Sequence, residues 1–202
     1  MRTIDDGRRE LGPHLKALGE LMDRAHEEFQ RECRAVAHKL NARSRASIYR
    51  DLIVSNLREY CDNTPGATTH RKGQLMLVGI ENNWLLRVKR LRQGFAVAVS
   101  PTQASRDYDA NQIPASMQDM FPNNPPATCL YFGWSVAENA PDTISKFLVC
   151  NDENRELAWV LPLDDDASTP PLGTLDLPLQ PVAPSSPKRV RVKAAPARKT
   201  NE

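Results

Sequence analysis

The chain has 202 residues, 40% of them apolar and 26% charged, with a formal net charge of +2, which suits one domain with extensions or two very small ones and excludes a fully disordered chain. No window approaches the roughly 18 consecutive apolar residues of a membrane-spanning helix, which excludes an integral membrane protein of that kind. The opening residues Met1-Arg2-Thr3-Ile4-Asp5-Asp6 lack the apolar core of a secretory signal, so the expected location is the cytoplasm.

Apolar side chains at Leu11, Leu15, Leu18, Met22, Ala25, Phe29, Val36 and Leu40, with Cys33 filling the one long gap, form a stripe with a/d spacing. This predicts a single long helix over 8–41, with Pro13 in its first turn, where a missing N–H costs nothing. The other faces are charged, so the seam needs a partner. That partner is either the next helix or a second copy of the protein, which makes a homodimer through this helix one expectation. Residues 41–45 interrupt the stripe. Ser44 or Ser47 can cap a second helix over 47–61, carrying Ile48, Leu52, Ile53, Leu57 and Tyr60. Asn63-Thr64-Pro65-Gly66 then ends helical structure.

From residue 73 the apolar period becomes two. Runs over 74–80 and 84–91 flank Glu81-Asn82-Asn83, a hairpin signal, and a third run covers 95–100. Residues 101–127, with five prolines, read as loop with a short helix near 115–120. Strands resume at 129–136, 144–150 and 156–161. The predicted class is α+β: a long helix or helical hairpin in a helical region 1–63, then an antiparallel β-sheet region 64–163. Residues 164–202 are expected to be a disordered tail. Eight of the sixteen prolines lie from Pro162 onward, and no aromatic residue follows Trp159, so the segment cannot bury enough apolar surface to offset its ordering entropy.

Charge is unevenly placed. Residues 64–100 carry six basic and one acidic side chain, 101–163 carry three and eight, and 186–202 carry six and one. A basic stretch followed by an acidic one predicts either a polarised surface or neighbouring strands that pair their charges. In the second strand Trp84, Leu86 and Val88 point one way and Arg87 and Lys89 the other, with Arg90 and Arg92 following. Two cations on rigid backbone suit a phosphate or a carboxylate-rich partner. The plainer alternatives are a solvated outer face, which antiparallel sheets often have, or ion pairs to the later strands. His70, beside Arg71 and Lys72 ahead of the sheet, has its protonated form disfavoured by those cations, which suits a base or a phosphate contact; the plainer reading is an exposed loop. Lys188, Arg189, Arg191 and Lys193 read either as a nucleic-acid-binding arm or as a solubilising end.

Other candidates are weaker. His14, His26 and His38 are each rotated by about 120° from the last on a helix and share no face, so they read as surface or seam residues. Asp107 and Asp109, as alternate residues of a loop, are the nearest approach to a divalent-ion site, but the E-x-K strand of a restriction-type nuclease is absent, as is G-x-S-x-G. The single cysteines Cys33, Cys61, Cys129 and Cys150 fit neither a zinc ribbon nor a redox motif and are expected to be reduced, buried thiols. No catalytic residue, metal or cofactor is assigned on these grounds, and whether the chain is an enzyme stays open.

From Ser44 to about Leu163 the chain resembles an uncharacterised family of small bacterial mobile-element proteins. The resemblance rests on Arg45-Ala46-Ser47-Ile48 opening a helix, on Trp84-Leu85-Leu86-Arg87-Val88-Lys89-Arg90-Leu91, on Pro101-Thr102-Gln103, and on a final strand pair with Trp159. That family often carries R-F-K-K-L where this chain has Arg87-Val88-Lys89-Arg90-Leu91. Of its longer N-x-x-T-x-Q run only Thr102 and Gln103 match, and here they are adjacent rather than one residue apart. Its members are encoded beside helix-turn-helix repressor and zinc metallopeptidase genes. The resemblance therefore implies an intracellular binding protein of a regulatory, toxin–antitoxin or defence-type pair, whose protein partner comes from a neighbouring gene. The rivals are a nucleic-acid-directed toxin or enzyme using Arg87, Lys89 and His70, and a sequence-independent DNA or RNA binder. The chain has no H-E-x-x-H and so is not the peptidase itself.

Overall fold

The computed structural model describes residues 1–73, 75–120, 127–137 and 140–163. The expected tail and its basic end lie outside them. Helix α1 spans Ile4–Cys33, beginning earlier than the apolar stripe suggests because Thr3 and Asp6 form a reciprocal capping box. It does not run on to residue 41. A 3-10 turn at Ala37–Lys39 reverses the chain, and Val36, expected in the seam, is exposed. Helix α2, Ala42–Asn63, starts where the Asn41 side chain accepts the Ser44 N–H at 2.8 Å, so Asn41 rather than Ser44 or Ser47 is the cap.

The two helices form a hairpin whose seam is filled within the chain. Leu11, Leu18, Met22, Ala25 and Phe29 are buried in one cluster with Ile53 and Leu57 of α2. Two of the histidines tie the seam, His14 Nδ1 lying 2.5 Å from the Tyr60 hydroxyl and His26 Nδ1 2.6 Å from that of Tyr49. None of the described helices is long and apolar enough to cross a membrane.

Among the described residues six strands follow in chain order across one sheet: β1 Ala67–Lys72, β2 Leu75–Ile80, β3 Trp84–Arg90, β4 Thr128–Ala137, β5 Ala140–Asn151 and β6 Leu157–Pro162. Neighbours are antiparallel except β3 and β4, which run parallel. The β2–β3 hairpin turns through Glu81 and Asn82, both left-handed, as a primed turn demands. Strand β1 forms where a loop was expected. The run 95–100 contributes only one bridge, Leu91 to Val97, because Gly94 and Phe95 both take positive φ and turn the chain.

A parallel pair needs a long crossover, and residues 91–127 supply it. They contain helix α3, Gln103–Asp109, capped by Thr102, where loop was expected, and the expected short helical turn at Ala115–Met120. The crossover covers the sheet face that was expected to be wet. Trp84, Leu86 and Val88 face the α1–α2 hairpin with Leu130, Phe132 and Trp134. On the other face Leu77, Leu85, Cys129, Tyr131 and Val149 pack with Tyr108 and Met117 of the crossover.

Candidate anion-binding cleft

Strand β3 pairs with β4 along its whole length, from Trp84–Thr128 to Arg90–Trp134. It pairs with β2 over three residues only, the last being Leu86 opposite Val78. The first half of β2 stays with β1, Leu75 opposite Lys72. Beyond Leu86 the two strands part, and side chains from both faces of the sheet meet in one cleft of about 240 Å³. Strand β2 lends Leu75 and Met76 to it, and β3 lends Arg87, Val88, Lys89 and Arg90. Helix α2 lends Arg43, Ala46, Ser47, Arg50 and Val54, a spacing that places them on one helix face.

Two further depressions adjoin this cleft, and Ala46 and Arg90 line all three. One, of about 210 Å³, adds Phe29, Arg45 and Tyr49. The other, a groove of about 1080 Å³ at the ends of β3 and β4, adds Arg92, Phe95 and Phe147. Seven cations thus surround one region, and among the described residues no acidic side chain lines it. Arg50 is ion-paired to its neighbour Asp51 at 3.1 Å. Arg43, Arg45, Arg87, Lys89, Arg90 and Arg92 have no carboxylate within ion-pair distance among the described residues. Among the described residues, the expected pairing of the basic strand with later acidic ones is therefore not made there; β5 instead sends Lys146 to Asp23 of α1 at 2.7 Å.

Two of the cations, Arg87 and Lys89, are held in place. The Arg87 guanidinium lies 5.5 Å from the centre of the Tyr108 ring, with Nη2 3.5 Å from the Ser105 hydroxyl. That ring is fixed in turn, its hydroxyl 2.7 Å from the carbonyl oxygens of both Leu85 and Leu130. Stacking on a fixed ring orients Arg87 at little entropic cost. Lys89 Nζ donates to the Ala98 carbonyl at 3.1 Å. Lost hydration, then repulsion from Arg87 and Arg50, pushes the Lys89 amine down to about 8, with Asp109 opposing. Arg43 and Arg45 sit in the first turn of α2, the end whose dipole is already positive, so helix and side chains add to one positive potential.

The remaining candidates lie elsewhere. His70, Arg71 and Lys72 are on β1, with β2 between them and β3, and they do not line the cleft. His70 Nε2 is 3.0 Å from the Thr68 hydroxyl, and both lie over Gly79 closely enough to meet any side chain there. The His70 imidazole is lowered by burial rather than by the neighbouring cations. Asp107 and Asp109 are on α3, not a loop, and serve different partners. Asp109 accepts from the Tyr131 hydroxyl and the Asn151 amide, both at 2.9 Å, while Asp107 accepts from Gln103. All four thiols are free, and Cys33 and Cys61 are only partly buried. Burial pushes Cys129 and Cys150 up to about 12 and Cys61 to about 11, so these three stay protonated.

The α2 cations and Phe95 were not visible as site residues in the sequence. One signal was available: Arg43 and Arg45 open a helix against its dipole, a placement that helix stability alone disfavours. Compared with known proteins, the chain matches no family model, no curated protein and no solved structure.

Proposed function

We propose that this chain is a binding protein that holds an anionic group of its partner in the cleft between α2 and β3. The supporting observation is the cluster of cations around Arg90, free of carboxylates among the described residues, in which the Lys89 amine is held low partly by its cationic neighbours. A bound phosphate or carboxylate relieves that repulsion and takes up the forked donors of the arginines. The family resemblance supplies the setting, a regulatory, toxin–antitoxin or defence-type gene pair in a bacterium. Among the described residues, every charged group lining the cleft is cationic, which suits recognition better than proton transfer between an acid and a base.

The test is elution from a heparin column, heparin serving as a generic polyanion. The double variant Arg87→Glu with Lys89→Glu should elute at clearly lower salt than Arg71→Glu with Lys72→Glu, which makes the same charge change on β1. Circular dichroism checks that both fold. Equal shifts for the two folded pairs would show that total charge, not the cleft, governs the interaction.

A further inference from the structure

We propose that the anion is the phosphodiester backbone of a single-stranded nucleic acid, which passes from the cleft into the groove at the ends of β3 and β4 and stacks a base on Phe95. This deepens the reading above and rests on it.

Charge alone does not separate a nucleic acid from an acidic protein segment; the groove does. Its wall combines Arg43, Arg90 and Arg92 with two half-buried rings, Phe95 and Phe147. The rings meet edge to face, with centres 5.0 Å apart and planes at 76°. Phe95 holds a φ of +62° directly after Gly94 at +68°. A bulky side chain in the left-handed region is an unfavourable arrangement that persists only where its surroundings impose it, and such residues gather at binding sites. Here the arrangement keeps one ring at the wall of a basic groove instead of wholly inside the core. The Asp and Glu side chains of an acidic segment can satisfy the arginines but bring no aromatic ring to stack on Phe95. A duplex brings phosphates but keeps its bases stacked on one another. A single strand supplies both, phosphates for the guanidinium forks and an unstacked base for the ring.

The experiment is fluorescence anisotropy of the full chain with a labelled thymidine strand of about twenty nucleotides, longer than the common span of one binding fold. A duplex of the same length and poly-aspartate serve as competitors. The single strand should bind, weaken with added salt, and be displaced poorly by either competitor. Arg43→Glu with Arg90→Glu should weaken binding about tenfold or more and flatten the salt dependence, because phosphate contacts set that slope. Phe95→Leu should weaken it about fivefold or more at an unchanged slope, and Phe95→Tyr should restore it, because stacking tolerates any aromatic ring. A variant with Lys188, Arg189, Arg191 and Lys193 all changed to Ala should keep the Phe95 effect. Photo-crosslinking of a bromouridine strand to the unaltered chain covers the case in which Phe95→Leu fails to fold, and adducts should map to the peptide containing Phe95. The inference falls if poly-aspartate competes as well as the strand and folded Phe95→Leu binds like the wild type. It also falls if the tail variant alone abolishes binding, or if adducts map away from the groove. In any of these cases the cleft itself survives, provided heparin elution still responds to Arg87 and Lys89. If that response is also missing, both readings fall.

Discussion

The two halves of β3 differ in pairing and in chemistry. Trp84, Leu85 and Leu86 are flanked by β2 and β4 and are at most 1% exposed. A residue there is enclosed on both strand edges and both faces, so it is apolar whichever way it points. From Arg87 to Arg90 only β4 remains alongside among the described residues, and three of the four side chains are cationic, Val88 alone continuing the core. The same backbone thus changes from structural to presenting at the point where one ladder ends. Partial loss of pairing creates the opening, and the rigidity of the remaining parallel pair fixes what lines it.

Substitutions along the strand should reproduce that division. Trp84→Ala should have the largest effect, a loss of about 3–5 kcal/mol in denaturant unfolding, as for a large buried aromatic. Trp84 is wholly buried, its indole N–H donates to Glu10 at 3.0 Å, and its ring meets Trp159 edge to face. Gly133→Ala, on the β4 side of the second half, should cost about 1–3 kcal/mol by overpacking. A side chain there would lie 2.6 Å from Leu91, the residue that anchors the turn carrying Phe95. Arg90→Ala should stay within about 0.5 kcal/mol, as exposed positions usually do, while lowering heparin retention. A loss from Arg90→Ala approaching that from Trp84→Ala would mean the second half is structural after all and would end the comparison.

Much of this contrast was legible in the sequence. The period-two alternation put Arg87 and Lys89 opposite Trp84 and Val88, and the a/d spacing identified the buried stripe of α1. Three features were not legible, each for a physical reason. Strand β1 reads Ala67-Thr68-Thr69-His70-Arg71-Lys72; as an edge strand it buries little, so its composition carries no apolar period. The parallel pairing of β3 with β4 joins segments separated by the whole crossover, and no local pattern encodes it. The meeting of Arg43 and Arg50 with Arg87 and Lys89 depends on β2 and β3 separating, which is a property of the sheet rather than of either segment. The dipole-opposed Arg43 and Arg45 were the one local trace.

The smallest expected effect is also the sharpest test of the electrostatics. The Lys89 amine sits at about 8 in the folded chain against 10.5 when unfolded. Below pH 8 both states carry the proton, so folding bears the full cost of a poorly hydrated cation among cations. Between about pH 8 and 10.5 the folded chain has released the proton while the unfolded chain keeps it, so this site's contribution to stability rises with pH. Other groups titrate in the same window, and the difference between wild type and Lys89→Met isolates this one. At pH 7 the variant should be the more stable, by less than about 0.5 kcal/mol because the site is partly solvated. That gap should close as pH rises through the window. Excess heparin should narrow it already at pH 7, since a polyanion in the cleft stabilises the charged amine of the wild type and has no counterpart in the variant. A gap that is constant with pH would mean that Lys89 titrates normally and that the cations of the cleft are too well screened to act on one another.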